Sequence, residues 1–100
     1  MRAYTNFYID GQWVAPAVAN PLDVINPATE EVAGRINLGS KADVDRAVAA
    51  ARKAFSSFSQ TSVKDRIDLL GAIAAEYQKR YNDIAAAITE EMGAPAWLSN

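Results

Sequence analysis

From Phe7 to Val14 the order Phe-Tyr-Ile-Asp-Gly-Gln-Trp-Val sets aromatic and β-branched residues on both sides of Asp10-Gly11. That alternation predicts a hairpin, because glycine accepts the positive φ that a tight primed turn demands. A polar connector carrying alanine and proline, Ala15 to Pro21, reads as loop. Two short apolar-bearing runs follow, Leu22 to Asn26 and Glu31 to Asn37, around Pro27-Ala28-Thr29-Glu30. Proline presets φ early in a turn and cannot continue a ladder, so a second hairpin is predicted, and the two together fill about 7–37.

At Gly39-Ser40 the period changes from two to 3.6. Val44, Ala47, Val48, Ala51, Phe55 and Phe58 recur at helical spacing and predict a helix over about 41–58. Ser40 with Asp43 has the form of a capping box in which Asp replaces Glu. After a polar break that ends at Ser62, that serine can cap a second helix over about 63–80, with Ile67, Leu70, Ala74, Tyr77 and Tyr81 on one stripe. Gly71 interrupts the stripe at a propensity cost of about 1 kcal/mol and would suit the close approach of another backbone. Asn82 is the expected cap of a third helix over about 83–92, with Asp83 near its amino end and Ile84, Ala87, Ile88 and Met92 turned inward. Gly93 is placed to end that helix in the left-handed conformation, and Pro95 confirms the stop. Ala96-Trp97-Leu98-Ser99-Asn100 then opens a further element.

Strands come first and helices second, without repeats. The helices carry apolar stripes with too little sheet to cover them, so the expected cover is the rest of a larger protein. Composition agrees with an ordered unit: 50% of the 100 residues are hydrophobic, and 10 basic residues face 12 acidic ones. A chain of this length buries roughly 60 to 65% of its unfolded surface, which allows a thin core. A net charge of -2 without clustered Lys and Arg argues against nucleic acid as a partner. No stretch reaches the roughly 20 apolar residues of a membrane span, and the polar lead Met1 to Asn6 lacks the apolar core of a secretory signal. Zero cysteines exclude a disulfide framework and a zinc-thiolate site within the segment, which fits the cytoplasm. Histidine is absent too, so two common catalytic side chains are missing.

Gly34-Arg35-Ile36-Asn37-Leu38-Gly39-Ser40-Lys41 superficially has the form of a phosphate-binding loop, but Ser and Lys stand in reversed order and the interior is strand-like. It reads as a strand end, a turn glycine and a helix cap. Glu90 and Glu91 lie near a helix carboxyl end, where negative charge meets an unfavourable dipole. Adjacent helix positions do not face each other, so the two do not make an acid/base pair. They are either solvated surface or one carboxylate turned inward to a cation or a backbone NH. The charges of the first two helices read as solvated faces of mixed sign, and Phe7, Tyr8 and Trp13 as cross-strand packing. Trp97, at the start of a new element, is expected to be buried by sequence outside this chain.

Phe7 to Val14, then Val24-Ile25-Asn26-Pro27-Ala28-Thr29-Glu30-Glu31, then Asp43-Val44-Asp45-Arg46-Ala47-Val48-Ala49-Ala50-Ala51-Arg52-Lys53-Ala54-Phe55, and finally Glu90-Glu91-Met92-Gly93-Ala94-Pro95 form an ordered set. In wording, order and spacing the set resembles the amino-terminal part of the aldehyde dehydrogenase superfamily, over nearly the whole chain from about residue 6. The resemblance implies an α/β enzyme of several hundred residues with a three-layer, Rossmann-like fold. This segment would supply two β-hairpins and three α-helices to its cofactor-binding domain, with the catalytic and oligomerisation domains absent from the chain. It further implies oxidation of an aldehyde by a cysteine thiolate, hydride transfer to NAD or NADP, and hydrolysis of a thioester with help from a glutamate. That cysteine, the glutamate, the oxyanion asparagine and the cofactor glycines are all expected beyond Asn100, so no catalytic or cofactor-binding residue is assigned here.

Two features transfer by resemblance. A monovalent cation in some members is held by backbone carbonyls at the start of the Asn-Pro element and by the acidic residue two before the glycine of the helix stop. Those positions match Val24, Ile25 and Glu91. Trp97 to Asn100 look like the first turn of the helix that borders the family's substrate tunnel. Glu30 stands where a glycine is common, and Ala94 where a lysine is frequent, so no polar role of that lysine is carried over. The expectation is a scaffold segment of a cytoplasmic NAD(P)-dependent enzyme, a homodimer or homotetramer acting on an aldehyde, with neither nucleic acid nor membrane as partner. The alternative is a truncated, stand-alone interaction module that binds related subunits through its helix stripes.

Overall fold

The computed structural model describes residues 2–100. Its contacts divide the chain into two compact units, one of residues up to Ile25 with Val32–Ser59, the other Asn26–Glu31 with Gln60–Asn100. The first unit holds the strands β1 (Arg2–Tyr4), β2 (Phe7–Ile9), β3 (Gln12–Val14), β4 (Pro21–Ile25) and β5 (Val32–Asn37), and the helix α1 (Lys41–Phe58). The second holds α2 (Val63–Lys79), α3 (Tyr81–Met92) and α4 (Ala96–Ser99).

In the first unit both predicted hairpins form. β2 and β3 pair antiparallel, with Asp10 at φ 55 and Gly11 at φ 74 in the turn and the Tyr8 and Trp13 rings meeting edge-on at 5.1 Å. β4 and β5 pair antiparallel with a register shift at Val24/Ile25, so that Ala33 is the extra residue of a bulge on β5. The polar lead conceals a strand: β1 runs parallel to β5 and completes a sheet of order β1-β5-β4. Met1 lies outside the described residues. Three residues carry no local signal for this strand, whose stability comes from the β5 ladder. A β-carbon on Gly34 would come within 2.8 Å of the Arg2 carbonyl oxygen, so glycine permits that approach. Asn37, at the end of β5, ties two neighbouring segments to it: its side-chain amide donates to the Thr5 carbonyl at 2.8 Å, and its Oδ1 accepts from the Asn20 N–H at 3.0 Å.

α1 begins at the expected capping box. The Ser40 hydroxyl accepts from the Asp43 N–H, and Asp43 Oδ2 accepts from the Ser40 N–H at 2.9 Å. Along α1 only Asp43 is buried and Ala50 half-buried, whereas Val44, Val48 and Phe55 stay exposed. The large side chains of the predicted stripe therefore lie largely uncovered among the described residues.

The second unit is a run of helices and the six-residue turn 26–31. Ser62 caps α2 through a second capping box with Asp65. α3 departs from expectation at its start, because Arg80 and not Asn82 is the cap residue, without a side-chain bond, and Asn82 lies inside the first turn. Helix resumes after one residue, and the Tyr77 and Tyr81 rings meet edge-on across that corner at 5.9 Å. Gly71 has open space around it among the described residues, so the close backbone approach expected there is not found. Met92, expected inward, is 66% exposed, because nothing among the described residues covers its side of α3.

The core is thinner than length alone allows. Only Ile9, Ala33, Ala85 and Ala94 are buried apolar residues, and no large side chain is fully buried among the described residues. The accessible surface is 7789 Å². A folded monomer of this mass, 10.8 kDa, would expose about 5,500 Å², so the chain carries about 2,200 Å² of surplus surface.

Candidate functional site

The second unit contains an open cavity of about 480 Å³. The turn contributes Asn26 to it, α3 contributes Asn82, Thr89 and Glu90, and the last residues contribute Ala96 and Asn100. Its floor is alanine. Asn26 shapes the turn by an Asx arrangement, its Oδ1 accepting from the Ala28 N–H at 2.9 Å. Glu30 closes the turn with φ 62 and donates its N–H to the Asn26 carbonyl at 2.8 Å. The mouth offers amides, a hydroxyl and one carboxylate, groups that bind and orient. No thiol or imidazole exists anywhere in the sequence to act as nucleophile or neutral-pH base.

The exit from α3 is built with more constraint than the cavity. Gly93 takes φ 77 and its N–H donates to the Thr89 carbonyl at 3.0 Å. A β-carbon at Gly93 would stand 2.8 Å from Pro27 Cγ, so the glycine also lets the turn close on the helix end. Pro95 then caps α4 with extended backbone, and its carbonyl accepts from the N–H groups of Leu98 at 2.9 Å and Ser99 at 3.1 Å. The Thr89 and Ser99 hydroxyls meet at 2.7 Å. Trp97 is 78% exposed and Leu98 57%.

Among the sequence-predicted site residues, Val24 and Ile25 are neighbours at the end of β4, Val24 half-buried opposite Gly34 and Ile25 exposed at the bulge. Glu91 is exposed in the last turn of α3, in the other unit, while its neighbour Glu90 is half-buried and lines the cavity. No group of three or more acidic, His or Cys ligands occurs among the described residues. The phosphate-loop lookalike resolves as its bland reading required. Gly34 to Asn37 belong to β5, the Leu38 N–H donates to the Asn20 carbonyl, Ser40 caps α1, and Lys41 pairs with Asp45 at 2.7 Å on the surface. That run offers a dinucleotide phosphate no nest of free NH groups.

Sequence reasoning gave Asp43 a capping role and counted it among the solvated charges of α1, and the second reading is wrong, because its carboxylate is enclosed by the backbone N–H groups it caps. It is 7% exposed, and its Oδ1 also accepts from the Ala17 N–H at 2.9 Å, pinning the 15–20 connector to the start of α1. The Ser40 backbone N–H, then that of Ala17, holds its carboxyl below the ordinary value of 3.8, with desolvation opposing them and the Ser40 hydroxyl and Arg46 assisting. The Ala17 bond spans 26 positions and has no sequence signature.

Residues 13–100 match the model of the aldehyde dehydrogenase family. A 3-succinoylsemialdehyde-pyridine dehydrogenase of a Pseudomonas species is 53% identical over 95 residues, which is 95% of this chain and 20% of that protein. The crystal structure of an aldehyde dehydrogenase from Bartonella henselae superposes with a TM-score of 0.97 at 41% identity, covering 99% of this chain and 21% of the other. A mutant of aldehyde dehydrogenase C from Pseudomonas syringae, complexed with NAD+ and octanal, gives 0.93 at 47% identity over 95% of this chain and 20% of its own. The chain thus spans about a fifth of the length of the relatives it matches.

Proposed function

This chain belongs to the aldehyde dehydrogenase family, and we propose that it is a scaffold segment of an enzyme that oxidises an aldehyde to a carboxylic acid with NAD or NADP. The family match over residues 13–100 carries the reading, and the surplus surface supports it. A segment with apolar helix faces uncovered and without Cys or His contributes walls and anchors, while the thiolate chemistry belongs to other residues. Its place is the amino-terminal part of the cofactor-binding domain. The dinucleotide accepts a hydride when bound. No described residue here forms a cradle for its phosphates, so no step of cofactor binding is placed on them. α4 opens the helix that borders the aldehyde's path. The parent protein is a cytoplasmic homodimer or homotetramer in this reading, and no described helix is long and apolar enough to cross a membrane.

The cation assignment of Val24, Ile25 and Glu91 stands as a proposal on the sequence resemblance alone, two carbonyl oxygens and a carboxylate being suitable ligands for a hard cation. Glu91→Gln in the parent protein is expected to abolish any sodium or potassium dependence of its thermal stability; an unchanged dependence removes the assignment. The functional reading itself is tested by incubating the parent protein with octanal or propanal and NAD+ or NADP+. Matched formation of reduced nicotinamide and carboxylic acid is expected. Absence of both, across a panel of aldehydes, would instead favour the interaction-module reading.

A further inference from the structure

α4 runs over Ala96–Ser99, and its first turn is tied back to α3 at two places. One is the turn, where Gly93 donates to the Thr89 carbonyl and Ala94 is buried at 6% exposure. The other is the Thr89–Ser99 hydroxyl pair at 2.7 Å, ten positions apart and half-buried. Thr89 therefore holds both ends of the 93–99 excursion, the near end through its carbonyl and the far end through its side chain. The Ser99 hydroxyl also lies 3.4 Å from the Pro95 carbonyl. With Ser99 donating there, Thr89 can donate to the Ser99 oxygen, and each hydroxyl hydrogen has an acceptor.

We infer that Thr89 and Ser99 are positioning residues that fix the direction of α4, and through it the aldehyde chain length that the enzyme prefers. Two points define an axis, and the hydroxyl pair is the second point. The inference rests on the reading that α4 opens the helix beside the aldehyde's path. Neither residue touches substrate in this account. The pair acts by aiming the segment that follows.

The test uses the family-length protein that carries this segment, with Thr89→Val, Ser99→Ala, the double variant and the conservative Thr89→Ser. The ratio of kcat/KM for octanal to that for propanal should shift about two- to ten-fold in Thr89→Val and Ser99→Ala, the range that one net hydrogen bond carries, mainly through KM. KM for NAD+ should hold, Thr89→Ser should restore the ratio, and the double variant should equal the singles, because both remove one interaction. A ratio unchanged in both single variants, in a wild type that oxidises both aldehydes, overturns the inference while leaving the proposed function intact. A wild type inactive on both fails the proposed function instead. Amide exchange then still decides the anchoring: residues 96–99 should exchange several-fold faster in Thr89→Val but not in Thr89→Ser, and equal rates would sink the pair as an anchor.

Discussion

Replacing Gly93 by alanine perturbs two things that can be separated. The first is conformational. Gly93 sits at φ 77, and an L-residue there costs about 1–2 kcal/mol against the β-carbon clash with the following carbonyl. The second is contact. The new β-carbon would stand 2.8 Å from Pro27 Cγ, where ordinary contact is 3.4–4 Å, so the turn must move or strain. Overpacking of this kind costs about 1–3 kcal/mol, which brings the expected loss to about 2–5 kcal/mol. Gly11→Ala is the control, because Gly11 has φ 74 with nothing within 4 Å of the added carbon, leaving only the conformational cost of about 1–2 kcal/mol. Equilibrium urea denaturation of the parent protein, combined with amide exchange across 26–31 and 89–99, measures both. Adding Pro27→Ala to Gly93→Ala should recover about 0.5–3 kcal/mol as a coupling energy, since the obstructing ring is gone. If Gly93→Ala costs no more than Gly11→Ala, or the coupling vanishes, the turn does not pack on the end of α3 and the account of that exit is wrong.

Asp43 has a depressed pKa in the folded chain, so its stabilising contribution is present above its ordinary value near 3.8 and is lost as pH falls through the lower folded value. Asp43→Asn should flatten the acid limb of a stability-against-pH curve below that range and speed amide exchange at Ala17; an unaltered acid limb would count against the clasp. Glu30→Gly should stabilise the parent by about 1 kcal/mol in urea, because it relieves a left-handed residue at φ 62, and a destabilisation would show that the Glu30 side chain matters more than its backbone. Gly34→Ala should loosen β1, read as faster exchange at Arg35, whose N–H faces β1, because the new carbon meets the Arg2 carbonyl; unchanged exchange there would contradict the close strand approach.

What could be read from the chain in advance was local. The Asp10-Gly11 turn, the serines at Ser40 and Ser62 with their aspartates three positions on, and the glycine ending α3 each determine geometry within a few residues, and each appears as expected. Long-range pairings were not legible. β1 exists because β5 offers it a ladder, Asp43 is buried because Ala17 returns to it, and Ser99 is anchored by a threonine ten positions earlier. Asn82 misled for a related reason: α3 starts at Tyr81, directly after Arg80, so a good capping residue lies inside the first turn and the corner is one residue wide. The apolar stripes were read correctly as patterns, yet Phe55 at 68% exposure and Ile67 at 63% show that pattern alone does not say what covers them. At the candidate site, the Asn-Pro turn and the helix stop were visible as motifs. The Thr89–Ser99 pair was not, since neither hydroxyl belongs to a recognisable spacing.

The surplus of about 2,200 Å² of surface is the physical basis for reading this chain as a scaffold that other residues complete. A thermal melt of the isolated 100-residue chain, followed by near-ultraviolet circular dichroism and binding of a hydrophobic dye, tests that claim most directly. The account predicts no cooperative transition, strong dye binding at room temperature and a weak tertiary signal, because the uncovered helix faces lack their cover. A monomer that melts cooperatively, with a sharp near-ultraviolet signal and no dye binding, would contradict it.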